Sequence, residues 1–309
     1  MERERIIKVD SREAGKRLDV FLAQQTRLSR SLAQKVIAEG RVRVNGLTVR
    51  KNHKVCPGEE VTWEALLTDA GGAEPQNIPL SVVFEDGYLA VIDKPAGMVM
   101  YPGPGHTGDT LVNALLAMYP EIAVVGGRGR PGIFHRLDRG TSGLVAVALT
   151  RECYQAMVDM MQRRKIKRKY TALVVGEIGA ERGTIDAPLG RSHSNRKRMA
   201  VDRYSGRRAV SRFSVLERFE GYTLVEVVLE TGRTHQIRVH FSHIGHPVAG
   251  DPDYSRRKSS RRLELNRQFL HAGSLSFRHP VTGDELSFTS ELPADLRAVL
   301  DALRVSGGI

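Results

Sequence analysis

Cysteine is nearly absent from this chain of 309 residues, which has only Cys56 and Cys153. Two thiols so far apart do not make a disulfide scaffold, a zinc ribbon or a CxxC redox motif. Unpaired cysteines are typical of proteins that stay in a reducing compartment. We therefore expect a cytoplasmic protein.

Long apolar runs are also missing. No stretch of about 18 apolar residues occurs, so no membrane span is expected. The first residues, MERERIIKVD, mix both charge signs and lack the apolar core of a signal peptide. Hydrophobic residues still make up 41% of the chain, which excludes generic disorder. The length is sufficient for two domains, or for one large domain and a small one.

Negative charge is the minority charge. Asp and Glu number 35 against 47 Lys and Arg, which gives a formal net charge of +12. A protein this basic usually meets an anionic partner such as nucleic acid, a membrane surface or a phosphorylated substrate. Basic residues cluster at positions 163–169, 191–198 and 256–262. A solvated face or a mobile loop explains any one cluster, but three clusters favour a phosphate backbone as partner, without membrane binding.

The pattern of residues 15–65 predicts a small α+β domain. Apolar spacing predicts helices at 16–26 and 30–39, with Ser29 as the N-cap of the second helix and Gly40 at its end. A strand follows, and Asn45-Gly46 is a strong signal for a two-residue hairpin turn. This arrangement would let five basic side chains share one face: Arg17, Arg30, Lys35, Arg41 and Arg43.

The stretch GKRLDVFLAQQTRLSRSLAQKVIAEGRVRVNGLTV, residues 15–49, resembles the S4 RNA-binding domain. The resemblance implies that Ser29 and the five basic residues dock structured RNA, mainly through phosphates and shape. The alternative is a generic helical hairpin followed by a β-hairpin. We assign residues 1–65 to this domain and the small, polar segment 66–77 to a linker. Residues 78–309 form the second domain.

Short apolar-alternating runs dominate the second domain. They predict strands at residues 81–85, 89–93, 144–149, 170–177, 211–217 and 223–230, and helical spacing predicts helices at 110–118, 152–164 and 294–304. Several strands follow one another without a helix between them. This order favours an α+β fold with a mixed, largely antiparallel sheet and flanking helices over a doubly wound parallel sheet.

Two patterns suggest a cofactor but lack the context that each requires. GxGxxG occurs at residues 103–108 and 127–132, but prolines break the first and no helix follows the second, so we predict no nucleotide cofactor. Four histidines between residues 235 and 246 suggest a metal site, yet no Asp, Glu or Cys lies among them and two arginines interrupt them. Residues 234–240 also alternate like a strand, which would send His235 and His240 to opposite faces. We expect histidines that make hydrogen bonds, and no metal.

Three stretches hold residues that can carry chemistry. Asp138, in GIFHRLDRGTSG, lies between Arg136 and Arg139, which would keep it ionised as a nucleophile or electrostatic stabiliser. An ion-paired loop aspartate is the alternative. Tyr170 follows the strongest basic cluster, so it is either a stacking platform for a base or an ordinary strand residue. Arg238, in the strand-like segment GRTHQIRVH, has the length to reach a distant carboxylate.

Together these stretches resemble the RluA family of pseudouridine synthases. The match covers most of the chain and includes PQNIPLSVVFEDGYLAVIDKPAGMVMYPG, GIFHRLDRGTSGL, KRKYTALV, ETGRTHQIRVHFSHIGHPVAGD and FLHAGSLSF. With an S4-like domain ahead of such a body, the layout looks most like the RluD branch, which acts on large-subunit ribosomal RNA.

The resemblance implies the pseudouridine synthase fold and roles for five residues. Asp138 would be the catalytic nucleophile and Arg238 would hold it ionised. Tyr170 would stack on the target base, Arg136 would help to extrude the target uridine, and Leu270 would line the base pocket. The isomerisation requires no redox cofactor, nucleotide or metal. Whether Asp138 attacks the sugar, attacks the base or removes a ribose proton stays open.

Four positions, in three places, depart from the pattern of that family. The family often has His where this chain has Tyr101, Lys-Asp or Lys-Glu where it has Arg139-Gly140, and Gly where it has Ser255. These departures bear on substrate choice more than on activity. The alternatives are the same activity on another rRNA site or on tRNA, a non-catalytic RNA-binding or ribosome-assembly factor, and a metal-dependent hydrolase. We expect a monomer.

Overall fold

The computed structural model describes residues 4–26, 30–64, 73–103, 105–127, 129–192, 195, 198–255 and 263–306. Ser29, the basic cluster at 256–262 and the side chains of Arg30 and Lys35 lie outside the described residues. The chain divides into two compact units, residues 1–68 and 69–309. Among the described helices, none combines the length and the apolar character that crossing a membrane requires.

The first unit packs two helices on an antiparallel sheet that has four strands over its described residues. Its elements are β1 (Glu4–Lys8), α1 (Leu18–Gln25), α2 (Arg30–Ala38), β2 (Val42–Val44), β3 (Leu47–Thr48) and β4 (Glu60–Glu64). The strand order is β1-β4-β2-β3. Strand β1 does not show in the apolar pattern of the sequence, because three of its five residues are charged and only Ile6 and Ile7 are apolar.

The turns of this unit follow their local sequence. Asn45 and Gly46 both have a positive φ, as a type I′ turn between β2 and β3 requires, and this confirms the predicted hairpin. Gly40 has a φ of 71°, the left-handed conformation that commonly ends a helix. One core joins helices and sheet through Leu18, Phe21, Leu22, Ala33, Val36, Ile37, Val42, Val44, Val55 and Val61.

The described part of the second unit is built on a nine-stranded sheet. Its strands are β5 (Ser81–Glu85), β6 (Leu89–Lys94), β9 (Ser142–Ala148), β10 (Lys167–Val175), β11 (Arg182–Asp186), β14 (Val210–Phe219), β15 (Tyr222–Leu229), β16 (Leu270–Arg278) and β17 (Glu285–Thr289). The order is β11-β14-β15-β10-β16-β9-β6-β5, with β17 also paired to β16. Only β9 and β16 pair in parallel among these strands. The predicted mixed, largely antiparallel sheet is confirmed.

Four α-helices, a 3-10 helix (Pro120–Val124) and two short ribbons complete the described part of this unit. The helices are α3 (Leu111–Met118), α4 (Arg151–Gln162), α5 (Gln236–His243) and α6 (Ala294–Ser306). The ribbons are β7 (Gly126–Gly127) with β8 (Arg130–Pro131), and β12 (Leu189–Arg191) with β13 (Met199–Val201). A capping box between Thr110 and Asn113 begins α3, one residue later than the sequence suggests.

The sheet separates two hydrophobic cores. On β10, Ala172 and Val174 belong to the larger core, which includes residues of α3 and α4, whereas Leu173 belongs to the core under α6. This alternation is the period of two that a strand imposes on its side chains. Because both faces are covered, β9 is buried along its entire length.

Residues 234–240 do not form the predicted strand. His235 has a φ of 55° and Gln236 begins helix α5. Every residue from Gln236 to Phe241 is buried, so no solvent-exposed face is left to reveal a helical period. The polar members find partners inside instead: the ring nitrogens of His240 lie 2.9 Å from Ser211 Oγ and 3.0 Å from the Ala187 carbonyl.

Candidate active site

Asp138 lies in the loop before β9, with 13% of its side chain exposed. Lys94, at the end of β6, fastens this loop to the preceding one. Its ammonium donates to the carbonyl oxygens of Pro95 at 2.7 Å and Met98 at 3.0 Å in the preceding loop, and to that of Arg139 at 3.5 Å in the Asp138 loop. Arg139 adds a hydrogen bond from its Nε to the Gly97 carbonyl at 3.1 Å. The backbone that carries Asp138 is thereby held on two sides.

Arg238 is the counter-ion of Asp138. Its Nη1 lies 3.2 Å from Asp138 Oδ2. The same guanidinium holds Asp251 bidentately at 2.7 and 2.9 Å and Asp253 at 2.6 Å. Burial alone lowers the pKa of Arg238, but hydrogen bonds and charge from the carboxylates outweigh it and raise that pKa. Arg238 is therefore a permanent cation that meets three carboxylates.

The two arginines next to Asp138 in sequence are not its partners. Arg136 turns away and donates to the Tyr101 hydroxyl at 2.6 Å. Both Arg136 and Arg130 also lie over the Tyr101 ring, 5.3 and 4.5 Å from its centroid. Tyr101, where the family often has His, thus contacts two arginines at the mouth of the site.

His235 is a third neighbour of Asp138, and the sequence analysis did not select it for this role. Its Nε2 lies 4.0 Å from Asp138 Oδ1, and its Nδ1 lies 2.9 Å from the Tyr254 hydroxyl. That hydroxyl accepts from the Met199 N–H at 2.8 Å, so its own hydrogen is available to His235 Nδ1. Burial lowers the pKa of His235, which favours the neutral ring. In this arrangement Nε2 carries the hydrogen and faces Asp138.

Asp251, Asp253 and Tyr254 were also missed as site residues. They stand in the GDPDYS segment, which the sequence analysis noted only for its missing glycine. Two acids close behind a donor-rich segment were the available signal. Within the residues that the structure describes, no group of three or more His, Cys, Asp or Glu side chains is placed to hold a metal ion.

All five residues that the resemblance singled out in the second domain line one cavity of about 250 Å³: Arg136, Asp138, Tyr170, Arg238 and Leu270. Tyr170 is 5% exposed, and burial raises the pKa of its hydroxyl. The pairing of β10 with β16 shifts register between Lys169 and Thr171. Such a bulge re-aims neighbouring side chains, and here it lies beside Tyr170.

A larger cleft of about 1180 Å³ continues from Asp138 to helix α6. Arg267 spans it by donating to the Gly140 carbonyl at 3.1 Å and holding Asp295 bidentately at 2.6 and 2.8 Å. Arg136 and Arg139 also line this cleft, together with apolar residues of α6. The cleft therefore offers both cations and apolar surface next to Asp138.

Among the predicted RNA-binding residues of the first unit, the structure describes the side chains of Arg17, Arg41 and Arg43. Arg17 lines a groove with Arg50, Lys51 and His53, which the sequence analysis did not select. Arg41 lies 3.6 Å from Glu39, and Arg43 is exposed on β2; neither lines that groove. Arg17 also pairs with Asp19 at 2.9 Å. Of these three arginines, only Arg17 lies in the groove.

Lys94 provides a test of how tightly the Asp138 loop is built. Burial lowers its pKa to about 7. Between that value and the ordinary pKa of lysine, the unfolded chain binds a proton that the folded chain does not, so stability rises with pH in this window. We expect the unfolding free energy of the wild type to gain about 2 kcal/mol over Lys94→Met between pH 7 and 9.

Urea unfolding of both proteins at several pH values measures this difference. Lys51→Met, at an exposed lysine of the first unit, is the control and should follow the wild-type profile. Parallel profiles for wild type and Lys94→Met would contradict the prediction.

The comparisons with known proteins agree on one family. A model described as RNA pseudouridylate synthase matches residues 88–243, and an S4 domain model matches residues 16–61. An uncharacterised RNA pseudouridine synthase of Bacillus subtilis, YlyB, is 43% identical over 97% of this chain and 98% of its own. Ribosomal large subunit pseudouridine synthase D of Pseudomonas aeruginosa is 45% identical over 94% of this chain and 92% of its own. The solved structure of human RNA pseudouridylate synthase domain containing 1 covers 74% of this chain and 96% of its own, with a TM-score of 0.57 and 26% identity.

Proposed function

Because this chain belongs to the RNA pseudouridylate synthase family and has an N-terminal S4 domain, we propose that it converts specific uridines of large-subunit ribosomal RNA to pseudouridine. Asp138 carries the proposal: it is a carboxylate held by a buried cation, inside a cavity that also holds Tyr170 and Leu270. Relatives named ribosomal large subunit pseudouridine synthase D support large-subunit ribosomal RNA as the substrate.

The site residues fit the steps of this isomerisation. The bond between N1 and C1′ breaks, the base turns, and C5 joins C1′, so product and substrate have the same atoms. Asp138 supplies negative charge beside the separated sugar, as nucleophile, electrostatic stabiliser or base for a ribose proton. Arg238 balances that charge and holds the carboxylate in place through the 3.2 Å contact with its Nη1.

The remaining residues hold the RNA in an open conformation. A uridine must leave its stack before Asp138 can reach it, at a cost of about a few kcal/mol. Tyr170 offers a face on which the base can stack, and Leu270 offers an apolar wall. Arg136 is exposed at the mouth, where it can take the place of the extruded base. Ser29, Arg17, Arg30, Lys35, Arg41 and Arg43 remain the proposed RNA contacts of the S4 domain.

The proposal is tested by mapping pseudouridines in ribosomal RNA from a deletion strain and from the same strain carrying the gene. In parallel, purified protein is given transcripts of large-subunit rRNA, small-subunit rRNA and tRNA that carry 5-tritiated uridine. We expect lost sites in large-subunit rRNA and tritium release from that transcript. Release from tRNA or small-subunit rRNA alone would replace the proposed substrate, and no release from any transcript would reject the activity.

The groove of the first unit supports a separate prediction about RNA affinity. The double variant Arg50→Gln, Lys51→Gln should bind rRNA more weakly. The slope of the log binding constant against log salt concentration should become shallower by about 1.5, because binding with fewer phosphate contacts releases fewer counterions. Arg12→Gln, at an exposed arginine outside the groove, is the matched control. Filter binding across a salt series measures both quantities. An unchanged slope in the double variant would assign RNA docking elsewhere.

We further propose that the protein works as a monomer in the cytoplasm. Cys56 and Cys153 are both free thiols, as expected in a reducing compartment. Burial raises the pKa of Cys153 to about 12, which makes that thiol unreactive. Light scattering of the purified protein and fractionation of cells test the two statements, and a stable dimer or a membrane-bound pool would contradict them.

A further inference from the structure

We propose that Arg168 binds the uracil ring of the target nucleotide and stabilises the negative charge that the base acquires when its bond to the ribose breaks. This inference rests on the proposed function and assigns to the base a residue that lines the same cavity as Asp138.

Arg168 is a buried cation for which the described residues supply no partner. It lies on β10 two residues before Tyr170, so both side chains point to the same side of the sheet. Only 7% of the residue is exposed. Among the described residues, its guanidinium has no hydrogen-bond or ion-pair partner, and its Nε is inaccessible to solvent. Arginine is almost never buried in this state, because desolvating an unpaired charge is costly.

The neighbouring side chain of His135 cannot neutralise the charge of Arg168. His135 Nε2 accepts the Ala146 N–H at 2.9 Å, so the hydrogen of the neutral ring is on Nδ1, which also lacks a partner among the described residues. Burial lowers the pKa of His135 to about 3, and the charge of Arg168 acts in the same direction. The cavity thus contains a second unsatisfied donor and needs acceptors from outside the protein.

The backbone leaves room for this arginine. A Cβ at position 232 would lie 2.8 Å from Nη1 of Arg168, so only glycine lets the guanidinium occupy its place undisturbed. Gly232 stands next to Arg233 in the GRTHQIR segment and lines the same cavity. The place of the Arg168 guanidinium therefore depends both on β10 and on the glycine at position 232.

The chemistry of the cavity selects uracil as the partner. Arg168, Tyr170, Leu270 and Asp138 share the cavity of about 250 Å³. Arg238, the other buried arginine there, is already bound by three carboxylates. Uracil presents two carbonyl oxygens, which are acceptors for a guanidinium.

The uracil becomes negatively charged during the reaction, so a cation beside its carbonyl oxygens would stabilise it. When the N1–C1′ bond breaks, its electron pair goes to N1 and the charge spreads to both carbonyl oxygens. A fixed guanidinium in a desolvated cavity is worth more to this anion than to neutral uracil. Bonding of C5 to C1′ then releases the C5 proton, and N1 takes up a proton, so atoms and charge balance without a co-reactant.

Arg168→Met tests the inference, because methionine keeps an unbranched chain and removes the charge. We expect its single-turnover rate on the rRNA substrate to fall about 10²- to 10³-fold, while RNA affinity changes less than about threefold because phosphates dominate affinity. Its Tm should equal or exceed that of the wild type, since an unpaired buried charge is removed. A merely structural arginine would instead lower the Tm.

Arg212→Met is the control. Arg212 is an exposed arginine of β14 that pairs with Glu230 at 2.6 Å and lies outside both the cavity and the three basic clusters. It should retain the wild-type rate. RNA carrying 2-thiouridine or 4-thiouridine at the target adds a second readout, because sulfur accepts hydrogen bonds weakly. The thio substitution that slows the wild type should have little further effect in Arg168→Met.

The outcomes separate this inference from the proposed function. A wild type that converts no uridine rejects the function, and the role of Arg168 with it. Conversion by the wild type and Arg168→Met at equal rates overturns only the role of Arg168. Equal losses of rate and RNA affinity would reassign Arg168 to a phosphate, and full additivity with both thio substitutions would remove its contact with a carbonyl oxygen.

Discussion

Asp138→Asn is expected to abolish uridine isomerisation, with the rate falling by about four orders of magnitude or more, as for other enzymes that lose a nucleophile. Asparagine has nearly the same shape, and its carbonyl oxygen can still accept from Arg238. It has no negative charge with which to trap or stabilise the separated sugar. Because phosphate contacts dominate affinity for RNA, binding of the substrate should remain close to that of the wild type.

Tritium release from 5-tritiated uridine in the rRNA transcript measures this loss. Asp253→Asn is the informative control, because Asp253 holds the same guanidinium at 2.6 Å. It should reduce the rate far less than Asp138→Asn. Equal release from Asp138→Asn and the wild type would remove Asp138 from the mechanism. Full rescue of a deletion strain by Asp138→Asn would instead favour a non-catalytic RNA-binding or ribosome-assembly factor.

Arg238→Met should affect both stability and activity. The side chain of Asp251 is completely buried against Arg238, with a contact of 2.7 Å, and the substitution leaves that charge uncompensated. Breaking a buried pair in this way costs about 3–5 kcal/mol. Asp138 loses its counter-ion in the same step. Arg238→Lys should also fail, because a lysine cannot reproduce the bidentate contact with Asp251 while reaching two further carboxylates.

Urea unfolding and tritium release separate these two effects. Arg212→Met is the control for an exposed pair: Arg212 is 62% exposed and holds Glu230 at 2.6 Å, so its loss should cost less than about 1 kcal/mol. Combining Arg238→Met with Asp251→Asn should recover much of the stability, because the completely buried charge of Asp251 is removed as well, but none of the activity. If Arg238→Met is as stable as Arg212→Met, the contacts of Arg238 with its three carboxylates do not contribute to the free energy of unfolding.

Features that depend on neighbouring residues were predictable from sequence. Asn45-Gly46 requires two positive φ angles wherever it occurs in a hairpin, so the turn follows from residue identity. Strands β6, β9 and β15 were predictable because their apolar residues are continuous or alternate along the sequence. Motifs around Asp138, Tyr170 and Arg238 were sufficient to select residues that do line one cavity.

The sequence by itself thus determined the family, the mixed sheet and five residues of the central cavity. Only the tertiary structure decided the partners of those residues. Arg136 and Arg139 flank Asp138 in the chain, yet Arg238 holds it, because a helix from a distant segment brings its guanidinium there. The same helix escaped prediction since both of its faces are buried. Burial and pairing are properties of the folded chain, which is also why the unpartnered Arg168 looks ordinary in a basic cluster and becomes distinctive only inside the cavity.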